Sequence, residues 1–477
     1  MTTRRQFLKL FGFAALGVGA SGCQVAEKLA PLVGIGRDLT AQLPIWTGSA
    51  AEIKALNFVN RITWGARPKD VPTVAQLGID AFLEQQLAPE GIPDDKAHWL
   101  TRRIETLNLG VAGVYNFTAE ELLLDLRRAT VLRAIYSERQ LLERMVEFWS
   151  DHFNIYGEKE SCGQLKVVDD REVIRRHALG NFRDLLRASA TSPAMLVYLD
   201  GNANVAAHPN ENYARELLEL HTLGVDGGYS QHDVQEAARA LTGWKVRDRF
   251  RRGQVVLNAE SHDSQPKRVL GQLLEGEATS ELEQLLDVVC RHPSTATFLA
   301  KKLCRRFVSD QPSNQLVSQV ARVFTESQGD IRSMLRVIFR SDEFRQFQPR
   351  FKRPLTYAMS ALRLLNAECD GGPGIQRQLE MLGQLPFAWP TPNGFPEGEA
   401  SWASSLLPRW NFACALTSGN LDGTGLDLDQ TGDQVFLHVP YAVGRTLTAA
   451  ERDAFSKLDA PSEQLALVLC MPEFQYQ

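Results

Sequence analysis

The sequence predicts a mainly α-helical fold: a large multi-helix domain, with room for two lobes and at most a small β hairpin. Three observations carry this. Apolar residues recur at helical spacing in nearly every segment after Ala51. Helix-start signals recur with them, as in Thr118-Ala-Glu-Glu121 and Ser230 followed by Asp233, both placed like capping boxes. Only one run, Val255–Leu257 between Gly253 and Asn258, is short and β-branched enough to read as a strand.

Taken in order, residues 1–23 read as an export signal. Thr3-Arg4-Arg5-Gln6-Phe7-Leu8-Lys9 has the twin-arginine form, and the apolar segment Leu10–Ala20 is too short to span a membrane. Ala20-Ser21-Gly22-Cys23 resembles a lipobox, which makes Cys23 the candidate for lipidation; ordinary cleavage nearby is the alternative. Gly17, Gly19 and Gly22 match a dinucleotide-binding spacing by accident, since no strand precedes them. Residues 24–50 read as a tether. The domain proper spans residues 51–477, with possible lobes at 51–252 and 277–477.

Helices follow from Ala51, with a short one over Asp80–Leu87 ended by Pro89. Thr118–Phe153 reads as a long helical region in one or two pieces. His152 falls on its apolar face, four residues after Phe148. Asp169–His177, Phe182–Ala190 and a short helix after Ser192-Pro193 come next. Asn210 caps a helix on which Glu211, Asn212, Arg215, Glu216 and Glu219 share one arc, and Gly224 and Gly227-Gly228 stop it. Further helices cover Glu281–Cys290, Ser294–Phe307, Leu316–Glu326, Ile331–Phe339 and Pro354–Asn366. Pro386–Trp402 is a loop rich in proline, glycine and aromatic residues, too long for a mere connector.

Composition bounds function loosely. The 477 residues are 44% hydrophobic and 23% charged, ordinary for a globular chain. A net charge of −5, from 52 basic and 57 acidic residues, argues against a nucleic-acid partner. No GxSxG, P-loop, HExxH or CxxC occurs, so the standard nucleophilic, nucleotide, zinc-protease and redox motifs are unsupported.

The polar arc after Asn210 has two readings. Glu211, Arg215 and Glu219 at four-residue spacing form an ion-pair ladder on a solvated face. Alternatively the arc is a partly buried carboxylate cluster able to hold a metal. The histidines are the other lead: His152, His177 and His221 on apolar helix faces, His208 at a helix entry, and His262 beside Asp263. Imidazole is the commonest metal ligand, but no two share one helix at four-residue spacing, so a site would be assembled across elements.

The run ENYARELLELHTLG followed by YSQHDVQEAARALTGW resembles the signature of a bacterial family, domain of unknown function 1800. The resemblance extends to Met145–Asn154, His177–Asp200, His262–Gly271, His292–Val308, Gly383–Trp402 and Met471–Gln477. It implies that His152, His177, Glu211, Asn212, Arg215, Glu216, Glu219, Arg239, Trp244, His262, Asp263 and Lys267 occupy positions recurring in the family. Gln265 departs from the family's glycine, and His221, often phenylalanine there, ranks as core. The resemblance also implies a companion, an exported protein of a second family, domain of unknown function 1501. The aromatic stretch Phe387–Trp402 would be its docking surface.

Two functions follow as expectations. In the first, an exported periplasmic or envelope protein is an enzyme using a divalent transition metal held by His152, His177, Glu211, Glu216 and Glu219. Asn212, Arg215, Arg239, His262 and Asp263 would form a further polar cluster. A mixed nitrogen and oxygen set suits zinc, iron or manganese. In the second, the protein is a non-catalytic binding or scaffold partner of another exported protein.

Overall fold

A computed structural model describes residues 43–427 and 435–477. The twin-arginine stretch, Cys23 and most of the tether lie outside the described residues.

Helices dominate, as expected. Those that build the site are α1 (Ala50–Ile62), α2 (Ala119–Tyr136), α3 (Gln140–His152), α4 (Glu211–Glu216), α5 (Gln231–Ala240), α6 (Ala278–Arg291), α7 (Pro293–Phe307), α8 (Pro354–Leu364) and α9 (Leu406–Thr417). Local chemistry sets their ends. Thr118 and Glu121 form both halves of a capping box at the start of α2, and Ser230 and Asp233 do the same for α5. The Asn210 side chain accepts from the Asn212 amide, satisfying a free N–H of α4. The long region Thr118–Phe153 is two helices, parted at Ser137, whose carbonyl receives the Gln140 side chain.

Among the described residues, strands are confined to three two-stranded antiparallel ladders. Trp244–Val246 pairs with Val255–Leu257, the run read as a strand. The arginines between them tip an exposed hairpin, with Arg252 stacked 3.9 Å from the Tyr115 ring centre. Lys267–Val269 pairs with Gln272–Leu274, and Glu368–Cys369 with Thr424–Gly425.

One buried apolar cluster runs from Ala55 to Phe474. Residues 51–252 and 277–477 both feed it, so the two candidate lobes share a core. No helix of the described residues is long and apolar enough to cross a membrane.

Among the described residues, two helices depart from 3.6-residue periodicity. Leu217–Thr222, continuing α4, and Asp170–Arg175 are π-helical. In the first, the Leu223 amide reaches back five residues to the Leu218 carbonyl, and the Thr222 hydroxyl donates to the Leu217 carbonyl. Such wide turns are uncommon and gather at functional sites.

Candidate functional site

Two helices meet through charged residues at four-residue spacing. On α3, Glu147 and Asp151 share one stripe and Phe148 and His152 the next; on α7, Phe298, Lys302 and Arg306 share one face. Between them lies the loop Pro386–Trp402. Its Gly394 takes φ +73°, and a Cβ there would fall 2.2 Å from the Asp151 carbonyl oxygen, so only glycine lets the loop close onto α3.

Three carboxylates and three arginines lock this junction. Arg306 is fully buried and reaches Glu147, Asp151 at 3.1 Å and Glu397 at 2.5 Å. Arg353, at the start of α8, reaches Asp151 at 2.7 Å and Glu147 at 3.3 Å. Arg350 reaches Glu397 at 3.3 Å and donates to the Arg306 carbonyl. Burial alone would push these carboxyls up, but Arg306, Arg353 and Arg350 outweigh it at Glu397 and hold it well below the usual range. Asp151 goes the other way: burial and the neighbouring Glu147 raise it despite Arg353. The lattice ties the loop to the helices and so shapes the space beside them.

That space is a cavity of about 470 Å³. Phe148, Phe298, Trp389 and Phe395 line it, Lys302, His152 and Arg305 supply its cationic and imidazole groups, and Asp151, Asp310 and Glu397 its carboxylates. The Lys302 amine lies 3.0 Å from His152 Nδ1. The other ring nitrogen, Nε2, lies 3.1 Å from the His221 carbonyl oxygen. A carbonyl only accepts, so Nε2 carries the proton and Nδ1 presents a lone pair to Lys302. The His221 carbonyl is free for this role because it stands in the last turn of the widened helix. Thus the signature segment acts on the cavity through one backbone oxygen.

Burial depresses both basic groups. His152 falls well below its ordinary value, with Lys302 and His221 adding to the effect. Lys302 is lowered to about 8 by burial and Arg306, against the pull of Glu397 and Asp151. An amine so placed is in part neutral near physiological pH, as a nucleophile or general base must be.

The expected metal ligands are not gathered. His152 is enclosed by Phe148, Trp149, Phe153, Phe182 and Phe298 and committed at both nitrogens. His177 lines a different cavity, with Asp169, Glu172, Asp184 and Arg187. Glu211 pairs with Arg215 and Gln231. Glu216 and Glu219 are half-exposed, and Glu219 accepts from the Tyr229 hydroxyl at 3.3 Å. Among the described residues, no three or more His, Cys, Asp or Glu side chains stand where they could share an ion. The physical reason is direction: the α4 carboxylates point to the rim, whereas the His152 ring points into the aromatic core.

The further polar set divides in two. Asn212 donates to Asp200, which also receives Lys159. Arg239 pairs with Asp263 at 2.7 Å and Glu236 at 2.7 Å, while buried Lys267 pairs with Glu281. His262 Nδ1 lies 3.0 Å from the Thr242 carbonyl, and its Nε2 lies 3.2 Å from Glu281. The ion pairs fasten the Lys267–Leu274 hairpin to α5 and α6, and among the described residues His262 Nε2 makes no hydrogen bond. Gln265 stands exposed with its amide on Asp263 Oδ1, so the loop forms without glycine. His208 is exposed, Trp244 is half-buried, and His221 is core, fully buried with its pKa pushed down to about 3. In the loop Phe387–Trp402, Phe387, Phe395 and Trp402 turn inward and Trp389 is half-exposed.

Sequence reasoning missed Lys302, Arg306, Arg353 and Glu397. A signal existed: the segments Met145–Asn154, His292–Val308 and Gly383–Trp402 each carry charges that a helix or loop must bury, and all three meet here. No curated protein and no solved structure matches the chain. A family model does, across residues 57–476, and its description is "Protein of unknown function". With nearly the whole chain matched, from α1 to the final turn, the protein belongs to the DUF1800 family.

Proposed function

We propose that this protein is an exported enzyme whose active site is the aromatic cleft between α3, α7 and the loop Trp389–Gly398, with Lys302 and His152 as its acid–base pair. The observation that carries the reading is the 3.0 Å contact between the Lys302 amine and the unprotonated His152 Nδ1, inside a cavity of about 470 Å³. That volume suits a small molecule, and aromatic walls with a few convergent polar groups are what such sites present. The carboxylates in the wall, Asp151, Asp310 and Glu397, are paired with Arg306 and Arg350, so Lys302 and Arg305 are the charges left for a ligand with an anionic or carbonyl end and an apolar body.

Within this reading each residue has a task. The ion lattice holds the loop, Gly394 permits its approach, and the His221 carbonyl fixes the His152 tautomer. His152 then accepts a hydrogen bond from Lys302 and leaves the amine lone pair free for the cavity. Export rests on Arg4-Arg5 in their full context, and membrane attachment rests on Cys23. Changing both arginines to lysine should leave unprocessed protein in the cytoplasm.

The direct test is calorimetric titration with 3-phenylpropionate, which has an aromatic body and a carboxylate. Saturable binding, weakened at least about tenfold (about 1.4 kcal/mol) by Lys302→Met, is the expected result. Binding unaffected by Lys302→Met, or no binding, would contradict the assignment. The scaffold reading used Phe387–Trp402 as a partner's docking surface, and the burial of Phe387, Phe395 and Trp402 weighs against that use.

A further inference from the structure

We infer that the cleft takes a carbonyl compound, an aromatic aldehyde or 2-oxo acid, and that Lys302 captures it as an imine. This inference rests on the cleft reading above and names the substrate class and the covalent step.

The geometry supports it at three points. First, a hydrogen bond from the Lys302 amine to His152 Nδ1 uses one N–H and orients the nitrogen. Its lone pair is left facing the cavity walled by Phe148, Phe298, Trp389 and Phe395. Secondly, burial of the amine at this junction disfavours the ammonium and outweighs the cation–π attraction of the Phe298 ring, whose centre lies 5.5 Å from Lys302 Nζ. Thirdly, Arg305 lies at the same cavity, where its guanidinium can hold a carboxylate beside the carbonyl. Lys301, the neighbour in sequence, is exposed and does not line the cavity.

The step balances without an outside oxidant or reductant. The Lys302 lone pair forms a bond to the carbonyl carbon, and the carbonyl π pair moves to oxygen, which receives the first amine proton by way of His152 Nδ1. The second amine proton then passes to His152 Nδ1. The resulting imidazolium is a strong acid, because burial disfavours its charge, so it returns the proton to the departing hydroxyl. Water leaves and the carbon–nitrogen double bond closes. Resting burial of His152 therefore serves the second half of the step.

Reductive trapping tests this on the full chain. Phenylpyruvate is incubated with the protein at pH 7.5 in the presence of cyanoborohydride, and the lysines are mapped by peptide mass. An amine at about 8 is roughly a quarter neutral at that pH, against about a thousandth for an ordinary lysine; lower nucleophilicity takes back part of the gain. Lys302 should be labelled at least about tenfold faster than Lys301. The comparison is internal to the wild-type chain and needs no variant to fold. Equal labelling of the two, or none at Lys302, overturns the imine. If 3-phenylpropionate binds while Lys302 is not trapped, the cleft stands and the imine alone falls. If neither ligand engages the cleft, both fall.

Discussion

Two helical segments of this molecule carry similar charges and differ in what surrounds them. On α4, Glu211 and Arg215 pair at 2.8 Å with side chains about a third exposed, 32% and 39%. On α3 and α7, Glu147 and Arg306 are 7% and 0% exposed, and the same ions are shared with Asp151, Arg353 and Glu397. Water already solvates the first pair, so forming it changes little. The second group has lost its water and depends on its partners. The denser motif in the sequence is thus the energetically weaker one, and the ion set that shapes a cavity is scattered over residues 147–397.

The largest effect should come from breaking the buried lattice. Arg306→Met removes the most buried of the arginines bridging Glu147, Asp151 and Glu397 and leaves three carboxylates to Arg353 and Arg350, so a loss of about 3–5 kcal/mol is expected in urea unfolding. A loss below about 1 kcal/mol would place the group with the exposed pairs. Next comes Gly394→Ala. The added Cβ meets the backbone oxygen of Asp151 at a positive φ, so the loop must move, at a cost of about 1–3 kcal/mol. Because that loop forms one wall, the same variant should also lose 3-phenylpropionate binding. Retained binding would show that the loop does not shape the cleft.

Acid stability sharpens the contrast. The carboxyl of Glu397 is held below its ordinary value of 4.5, so its contribution is full above that value. It is lost as the pH falls below, because the unfolded chain takes up the proton first. Asp151, raised from its ordinary value, acts in the opposite sense over part of the same range. Glu397→Gln should therefore flatten the fall of melting temperature on acidification, and an unchanged slope would remove Glu397 from the account. The smallest effect belongs to Arg215→Ala, where less than about 1 kcal/mol is expected. A loss near that of Arg306→Met would erase the comparison.

What was legible in the sequence follows from the range of the forces involved. Capping by Thr118, Asn210 and Ser230 is local, and each cap formed where its spacing placed it. The inward face of His152 was legible because a helix repeats every few residues. Its partner was not: Lys302 is 150 residues away, and no local pattern pairs them. The arc of Glu211, Glu216 and Glu219 was drawn at a constant 100° per residue. The π-turn from Leu217 breaks that spacing, and nothing in the residues announces such a turn. The aromatic loop read as a surface because aromatic residues mark interfaces. In fact Phe395 and Trp402 pack with Phe351 in a small core of their own, because Gly394 and the Glu397 ion pairs draw the chain inward.

The central claim is that Lys302 presents a reactive amine to an aromatic cleft. The most direct test is the pH dependence of competitive acetylation, comparing Lys302 with Lys301 in the same molecule. The account predicts a Lys302 midpoint of about 8, well below that of its exposed neighbour. Coincident midpoints near the ordinary lysine value of about 10.4 would contradict it.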